Sequence, residues 1–295
     1  METIVLTPEN CQILTDSSSC LTEGELDNLD VKEIPFDACS KELMKPIKAL
    51  LDEKEFVLFV GTAPSLSDIN DNMKHAVKAL DKKDKGLKAE KRVLIINTSC
   101  FSGGLGFYVT EMSSFLNEDR KYGEVLAFGQ FLSNHIAHFF IEPSEKRWNQ
   151  LIYVPRTGKI NFEGGKFRGN KGVYNYLAAD FQEHLYHPEQ KVWICHPGKS
   201  EAARNLATHI KHCSSDVTID MSHQLMPNSI NSLADNTVAC FFLSTDVRPD
   251  EPSSDYSDTQ RHEIEQKRLI AKHHITEISK FAQAYQNDAN PFSEA

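Results

Sequence analysis

The sequence lacks a long hydrophobic run, and this absence excludes a membrane-spanning helix. Its longest apolar stretches, Val57–Val60 and Val238–Leu243, have the length of a strand, whereas a span requires roughly 18 apolar residues. The N-terminus has no basic segment followed by an apolar one, so no signal peptide is expected.

A surplus of basic residues is also missing. The 295 residues include 32 lysines and arginines against 42 aspartates and glutamates, which gives a net charge of −10. Nucleic-acid binding draws on an excess of positive charge, because each phosphate contact neutralises a negative charge. The balance therefore argues against a nucleic-acid partner, and it provides no attraction to anionic membranes.

Paired cysteines and familiar catalytic motifs are absent as well. The seven cysteines are odd in number, scattered and never spaced as C-x-x-C, a pattern typical of reduced thiols in the cytoplasm. No G-x-S-x-G, Walker or G-x-G-x-x-G motif occurs. We therefore predict a cytoplasmic protein with reduced thiols, with no catalytic residue assigned and no metal site.

Strands and helices alternate in the first part of the chain. Four strands are predicted, at Gln12–Thr15, Val31–Phe36, Glu55–Val60 and Arg92–Ile96. Helical periodicity is found around Leu43–Leu51, after a proposed N-cap at Ser67, and after the glycine-rich Ser102–Gly106 turn. Lys82–Lys91 is predicted to be an exposed connection. This alternation predicts a parallel-sheet α/β domain over residues 1–134.

The remainder predicts an α+β domain over residues 135–245. Its strands are expected at 135–141, 151–154, 159–166, 191–195, 217–219 and 238–243, with helices over about 171–186 and 201–211. Residues 246–258 are rich in proline, serine and aspartate and predict a linker. A C-terminal helix over 259–295 carries an apolar stripe, which indicates either docking on its own chain or homo-oligomerisation.

Three polar turns follow predicted strands, at Thr15–Ser19, Gly61–Ser67 and Thr98–Gly106. Ligands of open α/β sheets lie at the carboxyl ends of the strands. Two of these turns precede a helix, whose N-terminal amides attract anions. A carboxylate or phosphate group is the expected guest; the alternative is that each turn only caps its own helix.

Several segments, taken in order, resemble the DegV family. The matching residues are Ile13-Leu14-Thr15-Asp16-Ser17-Ser18, Ile34-Pro35-Phe36, Ser65-Leu66-Ser67, Ile96-Asn97-Thr98, Ser102-Gly103-Gly104-Leu105-Gly106, Gly158-Lys159-Ile160 and Lys166-Phe167-Arg168-Gly169. The resemblance extends over roughly residues 11–243. No single motif is specific, and the ordered series carries the resemblance.

The resemblance implies a lipid-binding protein that holds a long-chain fatty acid in an apolar tunnel between two domains. It assigns the ligand-binding roles to Asp16, Ser17, Thr62, Ser65, Ser67, Ser102 and Arg168. It implies no cofactor other than the bound fatty acid, and it suggests a fatty-acid kinase as a partner that receives the acyl group.

The chain also departs from the family pattern at several donor positions. Ala63 and Pro64 replace two serines, Asn97 replaces an aspartate, and Leu233 stands where the family has a histidine. These losses support an alternative, in which the protein has lost acyl binding and acts as a protein-interaction module. A further alternative is an enzyme that uses the inter-domain cleft on a carboxylated or phosphorylated metabolite.

Histidines and cysteines offer no complete metal site by spacing alone. His209, His212 and Cys213 share one helical turn, and His184 and His187 lie near a helix end. Zinc needs further ligands that the sequence does not place near them. His135 and His138 are predicted to be structural.

Overall fold

The computed structural model describes residues 4–143, 148–153, 166–198, 200–225, 233 and 236–245. Within these ranges the strands are β1 (Val5–Leu6), β2 (Cys11–Asp16), β3 (Val31–Ile34), β4 (Phe56–Gly61), β5 (Val93–Asn97), β6 (Arg120–Lys121), β7 (Ile136–Pro143), β8 (Trp148–Tyr153), β9 (Lys166–Arg168), β10 (Lys191–Cys195), β11 (Thr218–Asp220) and β12 (Val238–Leu243). The helices are α1 (Glu23–Asn28), α2 (Ser40–Glu53), α3 (Ile69–Lys83), α4 (Ala89–Arg92), α5 (Gly103–Leu116), α6 (Tyr122–His135), α7 (Gly169–His184) and α8 (Glu201–Cys213).

The N-terminal sheet has four parallel strands in the order β3-β2-β4-β5. Strand β4 is buried along its whole length, and its side chains alternate between two cores. Val57 and Phe59 pack in the core that α2 and α3 cover, whereas Leu58 and Val60 belong to the core that contains α5. A sheet covered on both faces is the arrangement that the near-continuous apolar strands predict.

Among the described residues, the C-terminal sheet has six strands in the order β11-β10-β12-β7-β8-β9. Only β10 and β11 run parallel; the other neighbours are antiparallel. Val173 and Phe181 on α7 and Leu206 on α8 join Phe242 of β12 in one apolar core on the outer face of this sheet. The predicted combination of a parallel α/β unit and an α+β unit is therefore confirmed.

Helix α5 lies between the two sheets and contacts β2 and β4 on one side and β7, β10 and β12 on the other. Its first seven residues, Gly103–Val109, are all buried, as are Met112 and Leu116. A helical segment that is buried on every side belongs in the interior of a protein, and α5 reaches the surface only in its later turns, at Ser114. One continuous core therefore runs from Leu58 of the N-terminal sheet, through α5, to Phe241 of the C-terminal sheet.

The structure corrects three local predictions. Helix α3 begins at Ile69 with Asp68, rather than Ser67, at the N-cap position. His135 ends α6, a helix that the sequence analysis did not predict, and does not start a strand. The connection at 82–91 is only partly exposed, because Leu87 and Ala89 are buried.

Two predicted segments, 246–258 and 259–295, lie outside the described residues, as do residues 159–165 of the predicted strand 159–166. None of the helices described here has the length and apolar character needed to cross a bilayer.

Candidate functional site

The three polar turns of the N-terminal sheet meet at the carboxyl ends of β2, β4 and β5, as the parallel topology requires. The Thr98 hydroxyl donates to the carbonyl of Gly61 at 2.6 Å. The amide of Ala63 donates to the carbonyl of Cys100 at 2.8 Å. These bonds join the turn after β4 to the turn after β5 and form one continuous rim.

Asp16 holds the turn after β2 against the turn after β4. Its Oδ1 accepts from the Ser18 amide at 3.0 Å, the Ser18 hydroxyl at 2.6 Å and the Thr62 hydroxyl at 3.0 Å. Its Oδ2 accepts from the Thr62 amide at 2.7 Å. We call Asp16, Ser18 and Thr62 the Asp16 cluster; all three are almost fully buried. Asp16 and Thr62 are thus hydrogen-bonded to each other and support the rim from the buried side.

Burial raises the pKa of the Asp16 carboxyl above its ordinary value, and the hydrogen bonds from Ser18 and Thr62 offset only part of this effect. A carboxylate removed from water loses hydration that four donors do not fully replace. The environment therefore disfavours a negative charge on Asp16. A carboxylate ligand at this rim would accordingly meet less charge repulsion from Asp16.

The predicted serines of the first two turns differ in their exposure. The Ser17 hydroxyl accepts from the Phe36 amide at 3.0 Å and fixes the end of β3. The Ser67 hydroxyl accepts from the Ile69 amide at 3.2 Å, as a cap would, although it lies one residue before the N-cap position. Ser65 is exposed. Of these three, Ser65 presents its hydroxyl to solvent.

Ser102 is the N-cap residue of α5 and is fully buried, with a φ of 53°. Its hydroxyl lies 3.2 Å from the sulfur of Cys20. The next two residues are glycines, and a Cβ at Gly103 would lie 2.4 Å from the Cys195 sulfur, while a Cβ at Gly104 would lie 2.0 Å from His138 Nε2. The absence of side chains lets the start of α5 touch the C-terminal sheet.

Arg168 lies apart from the sheet strands that α5 contacts. It is exposed and ends β9, the edge strand, and β7 and β8 separate this strand from β12. Arg168 also precedes α7 as its N-cap residue. The predicted headgroup residues of the N-terminal sheet therefore converge, but the structure places Arg168 at the far edge of the second sheet.

Sequence reasoning missed the role of Ser18, which bridges Asp16 and the Thr62 hydroxyl at 2.5 Å. The signal for it was its position two residues after a buried acid, the spacing of an Asx turn. Sequence reasoning also missed a group of three neighbouring side chains of types that can bind a metal ion, Glu25, Asp220 and His223. No spacing indicated that group, because 198 residues separate Glu25 from His223.

Among the comparisons with known proteins, only the comparison of structures finds similar proteins. No family model matches the sequence, and no curated protein matches it. A fatty-acid-binding DegV family protein from Thermus thermophilus superposes with a TM-score of 0.66 at 14% identity, covering 80% of this chain and 99% of that one.

Two further solved structures agree. DegV of Bacillus subtilis, a fatty acid binding protein, gives a TM-score of 0.62 at 10% identity over 80% of this chain and 99% of its own. The Streptococcus pneumoniae fatty acid kinase (Fak) B3 protein, loaded with linoleic acid, gives 0.58 at 11% identity over 79% and 99%. At such identities the likeness defines the fold and not the ligand. The chain has the two-domain α/β fold of the DegV family proteins.

Proposed function

We propose that the protein binds a long-chain fatty acid, with the carboxylate at the rim of the N-terminal sheet and the acyl chain along α5. The observation that carries this proposal is the continuous apolar core between the two sheets, which begins directly beside a hydroxyl-lined rim. Structural neighbours with the same fold are described as fatty-acid-binding proteins, which supports the proposed ligand class.

Aromatic side chains supply the apolar surface for the acyl chain. Phe101, which precedes Ser102, stacks on Phe140 of β7 with a centroid distance of 5.3 Å. Phe241 of β12 meets the same Phe140 ring edge-on at 5.6 Å. Each methylene that leaves water for such a surface contributes about 0.8 kcal/mol. A long acyl chain in contact with this wall would therefore gain more from its tail than from its headgroup.

The headgroup contacts are assigned to Ser102 and Ser65. Ser102 stands at the N-terminus of the fourteen-residue helix α5, where amide dipoles favour a negative charge. Ser65 is the exposed hydroxyl of the adjacent turn. We assign Asp16, Ser17, Thr62 and Ser67 the supporting role of holding the rim in place, because each already has a nitrogen or oxygen partner within it. The hydroxyl of Ser102, by contrast, contacts the Cys20 sulfur, which is a weak hydrogen-bond partner. Arg168 has no assigned contact with the carboxylate.

The test begins with the protein purified as the full chain. Solvent extraction followed by mass spectrometry should recover a long-chain fatty acid, and delipidated protein should bind oleate in a titration. Ser102→Ala is expected to weaken oleate binding by about 10–150-fold, since one hydrogen bond to a charged group is worth about 1.5–3 kcal/mol. Ser215→Ala, at an exposed loop serine, is the matched control and should bind as the wild type does. A folded sample that yields no lipid and binds no oleate refutes the proposal.

We further propose that the bound acyl group is presented to a fatty-acid kinase. Support comes from the likeness to the Streptococcus pneumoniae protein, whose description names that kinase. Loaded protein, kinase and ATP should together yield an acyl phosphate that hydroxylamine traps as a hydroxamate, and omission of the protein should abolish the product. Product formation from free fatty acid alone would remove this part of the proposal while leaving acyl binding intact.

The interaction-module alternative stays a prediction. It depends on the helix predicted over 259–295, which lies outside the described residues. Under this alternative, deletion of 259–295 should abolish self-association and leave the core folded.

A further inference from the structure

A second polar cluster joins α1, beside the N-terminal sheet, to the segment after β11 of the C-terminal sheet. It consists of Glu25, Asp220 and His223, and we call it the His223 cluster. One ligand atom from each residue lies within 4.8 Å of the others. The three side chains are a nitrogen donor and two carboxylates, the residue types that bind zinc and related divalent cations.

His223 is held rigidly in the interior. Its side chain is 0% exposed, and its ring stacks on Trp193 of β10 with a centroid distance of 3.6 Å and an interplanar angle of 13°. Trp193 is itself nearly fully buried and packs edge-on against Phe107 of α5. The two nitrogens of His223 therefore point in fixed and opposite directions.

The two nitrogens are not equally satisfied. Nε2 lies 2.7 Å from Oε1 of Glu25, a full hydrogen bond. Nδ1 is buried without a hydrogen-bond partner and lies 3.7 Å from Oδ1 of Asp220. A separation of 3.7 Å is too long for a hydrogen bond. A buried ring nitrogen without a partner is unusual, and it signals a group that the side chains alone do not satisfy.

The distance fits an ion. Two ligand atoms that each lie about 2.0–2.2 Å from one tetrahedral zinc-class cation are about 3.3–3.6 Å apart. The 3.7 Å between Nδ1 and Oδ1 of Asp220 is within about 0.4 Å of that separation, so a single cation fits between them after a small shift of the carboxylate. Ser222 donates its amide and hydroxyl to Oδ1 of Asp220 at 2.8 and 2.6 Å and fixes that carboxylate. Glu25, bonded to the opposite nitrogen, completes the carboxylate–histidine–metal arrangement that sets the tautomer of a ligating histidine.

We propose that His223 Nδ1 and the Asp220 carboxylate bind a divalent cation of the zinc class, with water in the remaining coordination positions on the half-buried side of Asp220 and with Glu25 positioning the imidazole from the other side. The ion would satisfy the one buried nitrogen of the cluster that has no hydrogen bond and would offset the charge of two adjacent carboxylates. Since Glu25 and His223 belong to different halves of the fold, binding would also stabilise the contact between those halves. The cluster is made of residues that the acyl proposal does not use.

The experiment uses the full-length protein, stripped with a chelator and titrated with Zn²⁺ in competition with a chromophoric chelator. One ion per chain is expected, and Co²⁺ in the same site should give a visible absorption band. Glu25→Gln should weaken Zn²⁺ binding by about 10–100-fold, as is typical for a residue that orients a ligand. Asp220→Asn and His223→Gln should weaken it further, because each removes a direct ligand. Zn²⁺ should also raise the melting temperature of the wild type and not that of Asp220→Asn.

Matched controls separate this site from surface binding. Asp216→Asn and His212→Gln alter exposed residues of the same half of the chain and should leave affinity unchanged. If the buried His223→Gln protein fails to fold, Asp220→Asn and the Co²⁺ spectrum of the wild type decide the question. The proposal is overturned if the wild type binds no Zn²⁺. It is equally overturned if binding survives both Asp220→Asn and Glu25→Gln, or is lost in His212→Gln.

Discussion

The Asp16 cluster and the His223 cluster are both buried and polar, but they differ in how completely their atoms are hydrogen-bonded. Both oxygens of Asp16 accept hydrogen bonds, and all its donors come from two adjoining turns. In the His223 cluster, one ring nitrogen is without a partner although it is removed from water. All the side-chain polar atoms of Asp16 are hydrogen-bonded, whereas the His223 ring keeps one nitrogen without a hydrogen bond.

The difference separates structural from ligand-binding polar groups better than residue type does. Sequence patterns single out Asp16 and Thr62 because aspartate and threonine follow strands at the ligand-binding edge. In the structure these two side chains are hydrogen-bonded to each other. A buried polar group whose hydrogen bonds are all made within the protein has few free donors or acceptors for a ligand. A buried polar group that lacks a hydrogen bond indicates a position where a ligand can bind.

The largest effect is expected from a substitution that disrupts the Asp16 cluster. Asp16→Ala should lower the free energy of unfolding by about 2–5 kcal/mol, because the Thr62 and Ser18 amides lose their acceptor while buried. Urea denaturation monitored by circular dichroism measures the change. Asp37→Ala, at an exposed aspartate, should remain within about 0.5 kcal/mol of the wild type. A loss below 1 kcal/mol for Asp16→Ala would show that the cluster is not structural.

A smaller effect tests the tight contact of α5 with the C-terminal sheet. A Cβ at Gly106 would lie 2.2 Å from the Ser19 carbonyl oxygen and 2.9 Å from the Trp193 ring. Gly106→Ala should therefore destabilise the protein by about 1–3 kcal/mol, and it should also disturb the His223 cluster through Trp193. The measurement is the thermal unfolding midpoint.

Gly123, in the first turn of α6, is the matched control. A Cβ there would meet nothing within 4 Å, and Gly123→Ala should increase stability by about 0.4–1 kcal/mol. Equal effects of the two substitutions would contradict the close packing of α5.

The smallest effect concerns pH. Burial alone would raise the pKa values of Glu25 and Asp220, but hydrogen bonds from Thr22 and Ser222, together with the nearby His223, outweigh it, so both pKa values lie below their ordinary values. A lowered folded-state pKa gives stability that is present above the unfolded-state value, about 4, and is lost as the pH falls through the folded-state value.

Chelator-treated wild type should therefore lose stability on acidification from about pH 5 to pH 3, and Glu25→Gln should lose less over the same range. Urea midpoints at each pH measure the two slopes. A steeper slope for Glu25→Gln than for the wild type would contradict the assignment of the lowered pKa to Glu25.

Much of the fold could be predicted from the sequence, because the strands of a doubly covered sheet are short, apolar and bounded by turns. β4 and β12 were expected within one residue of their observed limits for that reason. α6 was missed because Gly123 and Gly129 lower its helix propensity and its apolar residues do not form a clear stripe. The helix nevertheless needs glycine at position 129, because any Cβ there would lie 2.7 Å from the Tyr108 hydroxyl.

The candidate site was less predictable than the fold. The three turns could be expected to meet, since parallel strands carry their carboxyl ends to one edge. Which hydroxyls remain available could not be predicted, because the partners of Ser17 and Thr62 come from other turns. Contacts such as Glu25 with His223 depend on the docking of the two sheets on α5, which no local pattern encodes.

The buried first half of α5, Gly103–Val109, packs against both halves of the fold and is shared by their common core. A fragment ending at residue 134 would keep this helix but expose the aromatic surface that Phe140 and Phe241 normally cover. The complementary fragment would expose those two phenylalanines on its sheet. Each half should therefore aggregate when it is expressed alone, whereas the two halves should associate when they are produced together. The two domains can be distinguished in the structure, but neither is expected to fold stably without the other.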